Sequence, residues 1–366
     1  MTEQSQHNAS QHNVSQHNES QHSESQHSES QHNEAQPDEV QLGESPITSM
    51  LNQLSLVTGE MVEEQGEDAY GYSFNENGGL LATLDGCGGL GAKRYEEYEG
   101  KTGAYLASRI VAETIFQWFE NFSMNQGRVN EGTIHQIKEE LVQEILADLG
   151  KIQTSESSGV SQLKKSDLVR ELPTTLSLIL CDGMEDGLNT AFIWAGDSRG
   201  YLLTAEEGLA QITTDDLKGH QDAFENLYGD GRLSNLVSAD GQFHLNHRLL
   251  SIHPPFIAIT ATDGCFGYFK TPMEFEYMLL ITLLNSESPM EWEQRLEEAM
   301  KEAVGDDFSL CFAVFGYPSF EELKEKLYPR CTYLYEKYIG RLADATHEEM
   351  EQMWLEYKKD YSRWQD

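Results

Sequence analysis

From residue 101 to 120 apolar side chains recur every third or fourth position: Ala104, Ala107, Val111, Ile115 and Trp118. That period places them on one face of a helix. Ile134, Ile137, Leu141 and Ile145 repeat the pattern, so a second helix is predicted over 131–149. Upstream, 69–74 and 79–85 flank a turn at Asn75–Gly79 and read as a hairpin. Short apolar runs bounded by Asp–Gly and Gly–Asp pairs predict strands at 174–182, 189–195 and 199–204, then Phe256–Thr262 and 308–315. Thr271-Pro272-Met273-Glu274 and Ser288-Pro289-Met290-Glu291 carry helix-start signals: a cap residue, proline at the first helical position and glutamate two residues on. The polar stretches 151–170 and 213–250 read as a loop and an irregular flap. This order of strands and helices predicts an α+β layered sandwich, with helices packed on antiparallel sheets.

Outside that stretch the pattern changes. Residues 1–44 repeat with a period of five (SQHNA, SQHNV, SQHNE, SQHSE) and hold His7, His12, His17, His22, His27 and His32. Few apolar residues are available to offset ordering entropy, so a disordered tail is expected over 1–48. The histidines read as part of a spacer in preference to a metal site, because regular spacing specifies no coordination geometry. A main domain is expected over 50–317. Residues 318–366 read as a charged helical extension, with capping boxes at Ser319–Glu322 and Thr346–Glu349. Its aromatic residues, among them Tyr328, Tyr338, Trp354, Tyr357 and Tyr361, suit either a partner's docking surface or packing on the chain's own domain.

Charge narrows the function. The 366 residues include 25 Lys and Arg against 62 Asp and Glu, a formal charge of −37. That excludes a nucleic-acid backbone binder, which needs clustered basic residues, and it disfavours an anionic membrane surface. No apolar run approaches the ~20 residues of a membrane span, and no basic-then-apolar leader opens the chain. Five scattered cysteines without a C-x-x-C pair fit a reducing compartment, so a cytoplasmic location is expected.

Four segments place acids at a strand end or beside a glycine turn: Glu67-Asp68-Ala69, Asp85-Gly86-Cys87-Gly88-Gly89, Thr262-Asp263-Gly264, and Asp306-Asp307-Phe308-Ser309. Each pair alone is an ordinary turn. Brought together, such acids repel one another unless divalent cations lie between them. All-oxygen donors select Mg²⁺ or Mn²⁺ over zinc, and two such ions can activate a water against a phosphoryl group.

With Ala107-Ser108, Thr174-Thr175, Gly196-Asp197-Ser198-Arg199 and Gln211–Asp215, these segments make an ordered series over about 55–316. In that series the chain resembles the metal-dependent serine/threonine protein phosphatases of type 2C in bacterial form. The resemblance implies a four-layer α-β-β-α sandwich with a two-metal site at one end. It also implies that Asp85 bridges both ions, the Gly86 carbonyl binds one, and Asp263 and Asp306 bind the other. Glu67 and Asp68 act nearby, partly through waters. Asp197 and Ser198 are implied to be structural. The implied reaction is attack of an activated water on phosphoserine or phosphothreonine in a protein substrate, which pairs the enzyme with a serine/threonine kinase.

Two departures stand out. Glu63 occupies the place where many relatives carry a phosphate-gripping arginine, and a carboxylate there repels phosphate. Lys93 and Arg94 are candidate replacements, with Lys101 close by. Glu171 stands where bacterial relatives place an aspartate for a third ion. The Glu63 substitution keeps a rival open, a phosphatase-fold regulatory protein of little turnover, and a phosphatase for small phosphorylated molecules is a third reading. Cys87 and Cys265, each two residues beyond a proposed ligand, read as small apolar filler.

Overall fold

A computed structural model describes residues 46–155, 170–219, 222–229, 231–303 and 305–365. The repeat tail and most of the expected 151–170 loop lie outside the described residues. A short helix α1 (Pro46–Met50) leads into β1 (Leu51–Gly59), β2 (Ala69–Phe74) and β3 (Gly79–Leu84). The ribbon β4 (Arg94–Tyr95) and β5 (Lys101–Thr102) precedes helices α2 (Gly103–Met124) and α3 (Ile134–Ser155). Strands β6 (Leu176–Met184), β7 (Gly187–Ala195), β8 (Arg199–Thr204) and β9 (Gly208–Gln211) follow. After β10 (Asn246–Ile252) and β11 (Phe256–Ala261) come α4 (Pro272–Leu284), α5 (Pro289–Ala303) and β12 (Phe308–Phe315). The chain continues as α6 (Phe320–Leu334), a π-helical turn at Tyr335–Ile339, α7 (Gly340–Leu342) and α8 (His347–Tyr361).

The strands form two five-stranded antiparallel sheets, ordered β1-β12-β11-β8-β9 and β10-β7-β6-β3-β2. The period-two rule of strands shows how they stack. In β12, Cys311, Ala313 and Phe315 point between the sheets, while Leu310, Phe312 and Val314 join the outer cluster that includes α4 and α5, with Phe312 against Trp292. In β3, Leu81 points between the sheets, while Leu80, Ala82 and Leu84 pack beneath α2 and α3. Both faces of these central strands are therefore apolar and buried. The result is the expected α+β four-layer sandwich, helices on sheet on sheet on helices.

The differences from expectation fall at the sheet edges. Strands β1, β9 and β10 were not anticipated, and β10 occupies the end of the expected flap. All three are edge strands. An edge strand that lies half open to solvent shows little alternation, and β10 has no fully buried position. Helix α2 starts two residues later than expected because Thr102 caps it, its hydroxyl accepting from the Tyr105 N–H at 3.1 Å. It runs on to Met124, and α3 likewise runs beyond the expected end at residue 149.

The C-terminal helices pack on the chain's own sandwich. Tyr338, Trp354, Tyr357 and Tyr361 are buried in the core beneath α4, while Tyr328, Tyr333, Tyr335 and Trp364 are exposed. Their anchor is a buried ion pair. Arg330 donates from Nε and Nη2 to the two oxygens of Glu276 at 2.7 and 3.0 Å, and the Tyr357 hydroxyl donates to Glu276 at 2.5 Å. One carboxylate thus joins α4, α6 and α8. Gly208 lies under the guanidinium: a Cβ there would fall 2.2 Å from Arg330 Cζ, and φ is +72°. Removing one member of such a pair strands a buried charge, whereas replacing both removes the problem. Arg330→Met is therefore expected to cost about 3–5 kcal/mol in urea denaturation, and Arg330→Met combined with Glu276→Leu to cost less than the single change. A double variant no more stable than the single one would refute this account.

Candidate active site

Three strands deliver the acids to one end of the sandwich. Asp85 follows β3, and its backbone is held by the Thr174-Thr175 pair. The Thr175 N–H donates to the Asp85 carbonyl at 2.8 Å, the Thr174 hydroxyl donates to the same oxygen at 2.9 Å, and the Asp85 N–H donates to Thr175 Oγ1 at 2.9 Å. Ser198 in turn shares a 2.6 Å hydrogen bond with Thr175 Oγ1. Gly86 is fixed by crowding: a Cβ would lie 2.6 Å from the Ala104 carbonyl oxygen and 2.7 Å from that of Glu67. Asp263 follows β11 and opens a short 3₁₀ turn whose Gly264 rides against β12's leading loop. A Cβ on Gly264 would meet the Asp307 carbonyl oxygen at 1.9 Å.

The Glu67-Asp68 pair enters on the loop between β1 and β2, which is tied down from two sides. Asp307 accepts from the N–H groups of Met61 and Glu67 at 2.8 and 2.9 Å. From α2's end, the Ser108 hydroxyl donates to the Glu67 carbonyl at 2.5 Å and the Thr102 hydroxyl donates to Glu67 Oε1. Asp68 accepts from the Thr262 hydroxyl at 2.9 Å. The Glu67 carboxylate lies over the glycine loop, where a Cβ on Gly88 would come within 2.2 Å of Glu67 Oε2.

The acids interact across more than 200 residues of sequence. Burial first, and then the charges of Asp263, Asp68, Asp197 and Asp306, push Asp85 well above the usual carboxylate range. Burial pushes Asp68 up to about 7, with Asp263 and Asp307 adding to the rise. Asp263 is raised by burial and by Asp306, and exposed Asp306 is itself raised. Asp197, expected to be structural only, belongs to the same group: burial and the charge of Asp263 hold it well above its ordinary value. Its Gly-Asp-Ser context marks a turn, so nothing local in the sequence signals the contact. Glu171 contributes its carbonyl to the Ala239 N–H at 2.9 Å.

Cations around this cluster are few and engaged. Arg199, whose charge favours ionised Asp263, is paired with Asp215 at 2.7 Å. Arg94 and Lys93 are exposed; Arg94 donates to the Gly100 carbonyl at 2.8 Å and Lys93 stacks over Tyr95. Two other cations hold the Glu67 loop by its carbonyls: Lys101 donates to Glu64 O at 2.8 Å and Arg109 to Gly66 O at 2.9 Å. Arg109 was overlooked in the sequence, although it directly follows the Ala107-Ser108 pair. Glu63 is exposed on this loop. The thiols of Cys87 and Cys265 are driven well above their ordinary range, mainly by burial, which opposes thiolate chemistry.

Divalent cations fit this donor set. It consists of hard oxygens, it carries excess negative charge, and its backbone carbonyl at Gly86 is unobstructed by any side chain of its own. Among the described residues, no three Asp, Glu, His or Cys side chains are drawn tightly enough together to enclose a single ion.

The comparisons agree with this architecture. The model of the protein phosphatase 2C family matches residues 61–301. A Mycoplasma genitalium relative assigned as a protein phosphatase is 27% identical over 228 residues, covering 60% of this chain and 72% of its own. The crystal structure of the serine/threonine phosphatase Stp1 from Staphylococcus aureus superposes with a TM-score of 0.52 at 16% identity, over 73% of this chain and 96% of that one. A bacterial serine phosphatase variant gives 0.51 at 15% identity, over 72% and 98%. These two likenesses concern the fold. The chain belongs to the protein phosphatase 2C family. It is a metal-dependent protein serine/threonine phosphatase, and the reading as a regulatory protein of little turnover is not favoured.

Because Gly264 admits no side chain beside Asp307, Gly264→Ala is expected to lower the unfolding free energy by more than about 2 kcal/mol. A urea melt indistinguishable from wild type would show that the two loops are not in close contact.

Proposed function

We propose that Asp85, the Gly86 carbonyl, Asp263 and Asp306 hold two Mn²⁺ or Mg²⁺ ions, with Glu67 and Asp68 beside them contributing partly through water. The observation that carries this reading is the mutual electrostatic influence of acids from four distant segments with few cations to balance them. When bound, the ions would supply a water activated at neutral pH and offset the charge of the phosphoryl group.

The chain's own contribution is placement. Thr174 and Thr175 fix Asp85, Asp307 fixes the loop carrying Glu67, and Thr262 orients Asp68. Lys93 and Arg94 are proposed to meet the substrate phosphate in place of the arginine that Glu63 replaces. Arg94 is near enough to Glu67 for its charge to act there. A third ion, if the protein takes one, suits Asp197 better than the Glu171 expected from the sequence, because Asp197 acts on Asp85 directly. The substrates are proposed to be proteins phosphorylated by a serine/threonine kinase. A cytoplasmic setting accords with five free cysteines. Among the described residues no helix is long and apolar enough to cross a membrane.

The test is phosphate release from a phosphothreonine peptide with and without millimolar Mn²⁺, alongside calorimetric Mn²⁺ titration. Asp85→Asn and Asp263→Asn are each expected to lower kcat/KM more than about a hundredfold and to weaken Mn²⁺ binding, since even outer-shell changes cost 10–100-fold. Wild-type Mn²⁺ affinity in both variants would overturn the ligand assignment.

A further inference from the structure

The family match ends at residue 301, and α8 lies well beyond it. Yet α8 packs against the segment that runs from β9 alongside the carboxylate cluster. That segment bonds to residues beside the cluster at two points. Asp216 exchanges hydrogen bonds with Gly196, whose N–H donates to Asp216 Oδ2 at 3.0 Å while the Asp216 N–H donates to Gly196 O at 2.9 Å. Gly196 adjoins Asp197. Asp215 accepts from Arg199 Nε and Nη2 at 2.9 and 2.7 Å, and the Arg199 charge acts on Asp263.

From there the segment reaches α8 within about ten residues. Asn226 donates to Asp215 Oδ2 at 2.6 Å, which ties the 222–228 turn back to Arg199. The turn is organised by Asp222, whose Oδ1 accepts from the N–H groups of Phe224 and Glu225 at 3.1 and 3.0 Å. The other oxygen of Asp222 belongs to α8: the Trp354 indole N–H donates to it at 3.0 Å and Lys358 Nζ at 2.9 Å. Burial opposes ionisation of Asp222, but these bonds prevail and hold it below its ordinary range. Phe224 is buried and stacks on both His347 and Trp354. Beyond α8, Gln365 donates to the Thr213 carbonyl at 2.7 Å, where the segment begins.

We propose that α8 is a brace for residues 213–219 and 222–228: through Trp354 and Lys358 on Asp222, it positions these residues beside the catalytic carboxylates and so sets how well a phosphoprotein substrate is held. Trp354 and Lys358 are positioning residues; neither reaches the carboxylates. The buried indole carries more of the effect than Lys358, whose ion pair with Asp222 is partly exposed and such pairs add little. The functional half of the proposal rests on the carboxylate cluster being the active site. The structural half does not.

The test is the full-length double variant Trp354→Phe with Lys358→Met, which removes both donors while leaving an aromatic ring against Phe224. Amide hydrogen exchange over 213–219 and 222–228 is expected to speed up about tenfold. KM for a phosphothreonine peptide should rise severalfold, while kcat on p-nitrophenyl phosphate and Mn²⁺ affinity stay within about twofold, as for a residue acting on substrate placement. Should the double variant fold poorly, Asp222→Asn, which leaves Phe224 and Trp354 stacked, reads the same quantities. Unchanged exchange over 213–219 and 222–228 would overturn the brace. Faster exchange with unchanged KM would overturn its role in substrate placement. A wild-type protein without turnover would sink the functional reading alone, and exchange would still decide the brace.

Discussion

Like charges held close together are the constraint on which the rest of this structure depends. Asp68, Asp85, Asp197, Asp263 and Asp306 converge where burial and mutual repulsion both oppose ionisation. Left to themselves such side chains would swing apart into water. They are kept together by backbone, since each sits where a strand of a rigid sandwich gives way to a turn. The hydroxyls of Thr174, Thr175, Thr262, Thr102 and Ser108 do the fine positioning. Hydroxyls suit this task because they donate to oxygen without adding charge. An arginine or lysine in their place would neutralise the acids and remove the excess negative charge of the cluster.

The glycines of the acidic motifs follow from the same constraint. Gly86, Gly88 and Gly264 each occupy a place where a Cβ would strike an oxygen of a neighbouring loop. Four loops from distant parts of the chain therefore approach in two pairs at backbone separation, those of Glu67 and Gly86 and those of Gly264 and Asp307. On the outer face of the sheet that holds β8 and β9, the C-terminal helices bury a dense aromatic cluster of Trp354, Tyr357, Tyr361 and Tyr201. The buried Glu276 carboxylate at its centre is matched by Arg330 and a tyrosine hydroxyl, in contrast to the unmatched acids of the site.

Legibility in the sequence followed burial. The central strands β3, β6, β11 and β12 bury both faces, so they stand out as apolar runs, and the helices show their period. The edge strands β1, β9 and β10 do not, because half of each faces solvent or the strand is short. Of the site, the acids beside glycines were legible, since Asp-Gly at a strand end is a local pattern. Asp197 and Arg109 were not, because what they do arises across the fold: the charge of Asp263 acts on Asp197, and Arg109 reaches back 43 residues to Gly66. Asp307 was visible only as a neighbour of Asp306, while its function as a cap for the loop of Met61 and Glu67 exists only in three dimensions.

The pairing of β1 with β12 has a temporal consequence. The first strand of the sandwich hydrogen-bonds along its length to the last, Leu56 opposite Cys311 and Thr58 opposite Ser309. Asp307, which secures the Glu67 loop, immediately precedes that last strand. As the chain leaves the ribosome, β1 has no sheet to join until some 250 residues more have been made. The acidic cluster is thus among the last features of the domain to assemble. An incomplete chain presents its carboxylates on separate, solvated loops, where their repulsion is screened, and acquires a concentrated site only once the fold that restrains it is whole.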